Sequence, residues 1–205
     1  MPEALLLYGR EYTVEALVEA VAADKDFYVQ SGGGVTCSGG EPLMQPAFLA
    51  EFLSACKNAG FSTAVDTSGY AAWQSFVEIL PHTDLFLYDI KHMNAAEHKR
   101  LTGVDNRLIM ENLRKIAQAG VPVEVRMPVL PGYNDHDENI RQMAEMLKGI
   151  SSLTLVRPLA YHGLAGSKYA AINLAHDLPA ADGQETAAAA RVGEMLALEG
   201  ICVGG

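Results

Sequence analysis

Glu41, Asp66, Asp89, Lys91, Arg126, Arg157 and His162 share one feature: each lies at or just beyond the end of a short apolar run. Three carboxylates, an ammonium, two guanidiniums and an imidazole brought to one place could bind and orient a charged small molecule. Glu41 closes the stretch GGGVTCSGGEP, residues 32–42, in which five glycines flank Thr36, Cys37 and Ser38. Glycine leaves main-chain groups open to close approach, so Gly39 and Gly40 offer bare backbone beside that carboxylate. Neither GxxxxGK(S/T) nor GxGxxG is matched, which makes a phosphate-cradling loop a poor fit. Taken singly, each residue also has a structural reading: Asp66 in an Asx turn, Glu41 in a helix first turn, Arg126 in an ion pair, His162 in a loop. Recurrence at five successive run ends favours a common site.

For these residues to meet, the intervening chain must be regular. After Thr13, the spacing of Val14, Leu17, Val18 and Val21 predicts a helix. A second starts at Pro46, carries Phe48, Leu49, Phe52, Leu53 and Cys56, and stops at Gly60. Trp73, Phe76, Val77 and Leu80 predict a third. Leu113, Ile116 and Ala117 predict a fourth ending at Gly120, and Ile140, Met143 and Leu147 a fifth. Ala188, Val192, Met195 and Leu196 predict a sixth, begun by the alanine-rich stretch 180–190. Between them, residues 35–37, 63–65, 85–90, 123–127 and 153–156 suit buried strands. Such alternation argues for βα units with a parallel sheet, whose active site gathers where the strands end. A complete eight-unit barrel takes about 250 residues, so this chain supports roughly five or six units. The expected fold class is α/β, a partial (β/α)6-type barrel.

The chain is 49% hydrophobic with a mean hydropathy of +0.08, enough apolar material for one substantial core. A formal net charge of -10, with no long Lys/Arg run, argues against nucleic acid as a partner. No apolar run approaches a membrane span and no leader pattern opens the chain, so a cytoplasmic location is expected. Cys37, Cys56 and Cys202 are odd in number and far apart, which fits neither a disulfide framework nor a CxxC metal site.

GGGVTCSGGEP, with AVDTSGY, LYDIKHM, VRMPVLPGYND and RPLAYHGLAGSKY in this order and spacing, resembles the activating enzymes of glycyl radical enzymes. These are of the pyruvate formate-lyase activating enzyme type, within the radical S-adenosylmethionine (SAM) superfamily. The resemblance runs over about residues 8–169. It implies that the backbone of Gly39, Gly40 and Glu41 holds the methionyl ammonium of SAM, with Ser38 shaping the same wall. Asp66, Thr67 and Asp89 match positions that hold a monovalent cation beside the SAM carboxylate. Lys91 and Arg126 match positions that contact that carboxylate and the ribose region. Leu159 and His162 match positions close to the adenosyl group.

The implied chemistry is reductive cleavage of SAM. A 4Fe-4S cluster passes one electron to the sulfonium, and the 5'-deoxyadenosyl radical takes a hydrogen from a glycine of a partner enzyme. That partner would be pyruvate formate-lyase or a decarboxylase or dehydratase relative, with flavodoxin as a suitable electron donor. No side chain of this chain then serves as an acid or base, and no catalytic residue is assigned.

The family holds its cluster with CxxxCxxC, a motif this sequence lacks. MPEALLLYGREYT resembles the stretch after the last cysteine of a ferredoxin-like insert in larger activating enzymes. The expectation is therefore a single N-terminally truncated core domain over residues 1–205, without the first strand and cluster loop and with little activity alone. A missing first strand leaves a sheet edge open, which predicts self-association. Two other readings remain. One is a cluster-free relic that binds SAM or the partner's glycine loop. The other is a barrel aldolase forming a Schiff base on Lys91 with Asp66 or Asp89 as acid/base partner, for which Gly39-Gly40-Glu41 has no evident use.

Overall fold

A computed structural model describes residues 10–162 and 183–204. Helix α1 (Val14–Ala22) starts where Thr13 Oγ1 accepts the Ala16 amide at 3.2 Å, a standard N-cap. Helix α2 (Lys25–Ser31) follows and ends at Gly32 in the left-handed region. The chain then alternates through β1 (Gly34–Cys37), α3 (Pro46–Asn58), β2 (Ser62–Thr67), α4 (Trp73–Ile79) and β3 (Leu85–Asp89). It continues with α5 (Ala95–Thr102), α6 (Arg107–Gln118), β4 (Val123–Val129), α7 (Asp137–Lys148) and β5 (Leu153–Ala160). After the undescribed stretch comes α8 (Glu185–Leu198).

The five strands form one sheet in the order β1-β2-β3-β4-β5, every neighbouring pair parallel. The α/β expectation holds, and each expected strand is present. Helices α2 and α5 go beyond the sequence reading for a physical reason: α2 buries no residue and α5 buries only His98, so neither carries an apolar stripe. Strand β5 runs to Ala160 because Arg157 and Pro158, which interrupt its apolar run, still pair with Arg126 and Met127. The last helix begins at Glu185, within the alanine-rich stretch expected to open it; residues 180–182 of that stretch lie outside the described ones.

Alternation sorts each strand into two faces. Phe86 and Tyr88 of β3, and Val123, Val125, Met127 and Val129 of β4, are fully buried against the helices with Phe76, Ile79, Leu113, Ile116, Met143 and Leu196. Each such side chain contributes about 1.5–3 kcal/mol of apolar burial. Asp66, Asp89, Glu124 and Arg126 fall at the alternate positions, on the concave face. Near β1 a smaller cluster of Val14, Val35, Phe52, Cys56 and Phe61 seats α1 and α3. Among the described residues, β1 pairs only with β2, while β5 is flanked by the C-terminal segment through a bridge from Val156 to Val203. No helix among the described residues is long and apolar enough to cross a membrane.

Candidate functional site

The parallel register sets Asp66 beside Leu87, Asp89 beside Arg126, and Arg126 beside Arg157. The polar ends of adjacent strands therefore meet on the concave face. Ser38 Oγ donates to Asp66 Oδ2 at 2.8 Å. The Arg126 guanidinium donates to Asp66 Oδ1 and also reaches Asp89 Oδ1, at 3.2 Å from one terminal nitrogen and 3.3 Å from Nε. Lys91 Nζ donates to Asp89 Oδ2 at 3.1 Å. Two carboxylates and two cations thus form a neutral chain, with the Arg126, Asp66 and Asp89 side chains only 19–21% exposed. Partial burial makes these charge-assisted bonds stronger than surface pairs. Toward β5, Arg157 Nε donates to Glu124 Oε1 at 2.7 Å.

The glycine-rich turn is anchored by its own glutamate. Glu41 Oε1 accepts from Thr67 Oγ1 at 2.7 Å and from the Leu43 amide at 3.3 Å. Its Oε2 accepts from Ser68 Oγ at 2.6 Å and from the Ser68 amide at 3.0 Å. The carboxylate therefore faces the protein, caps the short helical turn Pro42–Met44, and ties the loop after β1 to the end of β2. Gly39 has φ 126°, a conformation that favours glycine, and a Cβ on either Gly39 or Gly40 would meet nothing within 4 Å. Their main chain stands open beside Ser38. Thr67 is buried, and its hydroxyl, committed to Glu41, also accepts the Gly69 amide at 2.9 Å.

Leu159 and His162 lie on the same rim, two strands round from β3, at the end of β5. The rest of RPLAYHGLAGSKY, residues 163–169, lies outside the described residues. Four buried asparagines that the sequence reading passed over hold the rim loops. Asn134 Nδ2 donates to the Lys91 and Pro128 carbonyls, both at 2.8 Å, and its Oδ1 accepts the Leu130 amide at 2.8 Å. Asn139 links Asn134 to Met93, Asn106 holds the His92 and Met93 carbonyls, and Asn112 holds those of Gly69 and Ala71. For Asn112 and Asn139 the available signal was a polar residue inside the helical stripes of α6 and α7; Asn106 and Asn134 lie outside those helices.

In the same rim, burial holds the His92 imidazole below its ordinary range, and its Nδ1 accepts the Asn94 amide at 3.0 Å. Burial also pushes the Cys37 thiol up to about 12, with Cys56 adding to the shift. Cys37 stays protonated at neutral pH. It lines a groove of about 290 Å³ between α1, β1 and the start of α3, walled by Leu17, Val21, Phe48 and Phe52 and reaching Ser38.

Residues 4–144 match the model of the radical SAM superfamily. The isethionate sulfite-lyase activating enzyme of Nitratidesulfovibrio vulgaris is 43% identical over 168 residues, covering 81% of this chain and 54% of that protein. The pyruvate formate-lyase-activating enzyme of Clostridium pasteurianum is 42% identical over 170 residues, covering 83% of this chain and 71% of that protein. Among solved structures, a domain of pyruvate-formate lyase-activating enzyme from Bacteroides vulgatus superposes with a TM-score of 0.68 at 30% identity, over 84% of this chain and 99% of that one. The chain spans about half the length of several of the relatives it matches. By the superfamily match and these identities, the chain belongs to the radical SAM superfamily, among the activating enzymes of glycyl radical enzymes.

Proposed function

We propose that this chain is the SAM-binding part of a glycyl radical enzyme activating enzyme. One observation carries the reading: open, uncharged backbone at Gly39 and Gly40 is linked through Ser38 and Asp66 to the part-buried Arg126 and Lys91 cations. The first suits an ammonium and the second a carboxylate, so one mouth offers partners to both ends of an amino acid. In this reading the main chain of Gly39, Gly40 and Glu41 accepts from the methionyl ammonium, with Ser38 in the same wall. Lys91 and Arg126 take the carboxylate and ribose side, and Leu159 and His162 border the adenosine. In the whole enzyme, bound SAM would supply, on one-electron reductive cleavage with flavodoxin as electron donor, the radical that takes hydrogen from a glycine of a cytoplasmic partner of the pyruvate formate-lyase, decarboxylase or dehydratase type.

The residues present do not fit a 4Fe-4S cluster. Cys37 is a protonated thiol on β1, Cys56 is buried on α3, and Cys202 lies exposed near the C-terminus. Among the described residues no three His, Cys, Asp or Glu side chains are grouped to hold a metal. This chain's own part is therefore binding and orientation, and no electron-transfer step is assigned to its side chains. Nor do Asp66, Thr67 and Asp89, as arranged, fit a monovalent cation, since the Arg126 guanidinium already bridges the two carboxylates and the Thr67 hydroxyl is committed to Glu41.

Calorimetric titration with SAM tests the reading. Saturable binding is expected, weakened about tenfold or more by Lys91→Met, the loss of one charge-assisted hydrogen bond. A folded chain, verified by circular dichroism, that takes up no SAM would end it. We also propose that the edge of β1 that pairs with no strand among the described residues, beside the apolar groove, pairs with a second copy of the chain. Light scattering should then give a dimer mass at high concentration; a monomer there would overturn the pairing.

A further inference from the structure

Asp66 and Asp89 project from neighbouring strands toward a shared partner, and all four of their carboxylate oxygens have protein donors. Arg126 serves Asp66 Oδ1 and Asp89 Oδ1, Ser38 serves Asp66 Oδ2, and Lys91 serves Asp89 Oδ2. Two carboxylates held this close and partly shielded from water repel each other unless a cation lies between them. A metal ion with oxygen ligands is one way to meet that need. A guanidinium is another, because its planar fork can donate to two carboxylates at once. A metal ion entering here would have to displace the guanidinium, and the nearby carboxylate of Glu124 is already engaged by Arg157. Displacement would strand a cation in a site only 21% exposed.

We infer that Arg126 is the resident counter-cation of the Asp66–Asp89 pair and keeps it closed to alkali cations in the ligand-free chain. The inference builds on the reading of this mouth as the SAM site, but its test uses no SAM, so the two can fail separately. Removing the guanidinium leaves two carboxylates sharing Lys91 and the Ser38 hydroxyl, one positive charge short of neutrality. The vacated space between them then becomes a place for a monovalent cation.

The experiment is a thallium(I) titration followed by thallium NMR, with thallium as a potassium-sized probe in tetramethylammonium nitrate at constant ionic strength. Wild type is expected to show no saturable binding. Arg126→Met should bind thallium at least about tenfold more tightly than wild type, and Asp66→Asn in the Arg126→Met background should abolish that binding. Circular dichroism checks each fold, and Arg126→Gln, neutral and closer in shape, replaces Arg126→Met if the latter does not fold. Equal binding by wild type and the variant would overturn the inference. So would absence of binding by a folded variant, since the acid pair would then hold no latent cation site.

Discussion

Gly34→Ala is expected to destabilise the chain by about 2–4 kcal/mol, through overpacking against atoms that cannot move aside. A Cβ at Gly34 would sit 2.0 Å from the Ser62 carbonyl oxygen, 2.7 Å from its carbon and 2.9 Å from the Ser62 Cα. All three belong to the main chain of the strand paired with Gly34, so no rotamer change relieves the contact. Strand β1 must lift from β2, and the bonds that cross the same seam further along, Ser38 to Asp66 and Thr67 to Glu41, lengthen with it. Loss of SAM binding should therefore accompany loss of stability. Gly120→Ala is the control: it has φ 76° but open space where the Cβ would go, so backbone strain alone should cost it about 1–2 kcal/mol. Urea melts of the two variants read the difference. An unchanged midpoint for Gly34→Ala would mean that β1 and β2 do not approach this closely.

What the sequence made legible follows from which signals are local. The strands declare themselves because runs such as LFLYD and VEVRMPV place apolar residues where one face or both are buried. Helix α5 escapes because its signals are only a cap and a stop: Asn94 Oδ1 accepts the Ala96 and Glu97 amides, and Gly103 ends it at φ 87°. The gathering of Asp66, Asp89 and Arg126 was readable from strand ends plus parallel order, since alternation fixes their common face. The same alternation carried a second message: Thr67, one residue past Asp66, faces the helices rather than the concave side. The inward turn of Glu41 was not readable, because its partners Thr67 and Ser68 lie 26 and 27 residues away. Pairing of the acids with Arg126, rather than with an external cation, likewise depends on distances that no spacing rule supplies.

Glu41→Gln separates two ways in which a glutamate can serve a ligand site. If its carboxylate touched the ligand, substitution would alter binding and leave the loop as it is. In this fold the carboxylate instead receives four donors from Thr67, Ser68 and Leu43. Glutamine keeps one acceptor oxygen, and its amide must then face an N–H group. The Thr67 and Ser68 hydroxyls can turn to accept from it, but the amide of either Ser68 or Leu43 loses its partner. An unsatisfied, part-buried donor costs about 1–3 kcal/mol, enough to release the turn and spread Gly39 and Gly40 over many conformations. SAM affinity should fall about ten- to a hundredfold, by the same free energy. Hydrogen exchange at the Leu43 and Ser68 amides should accelerate in parallel. Ser68→Ala, which removes one of the four donors from the other side, should reproduce the effect in smaller measure. If Glu41→Gln loses SAM affinity while both amides stay as protected as in wild type, the carboxylate acts on the ligand directly and its role as a clamp is wrong.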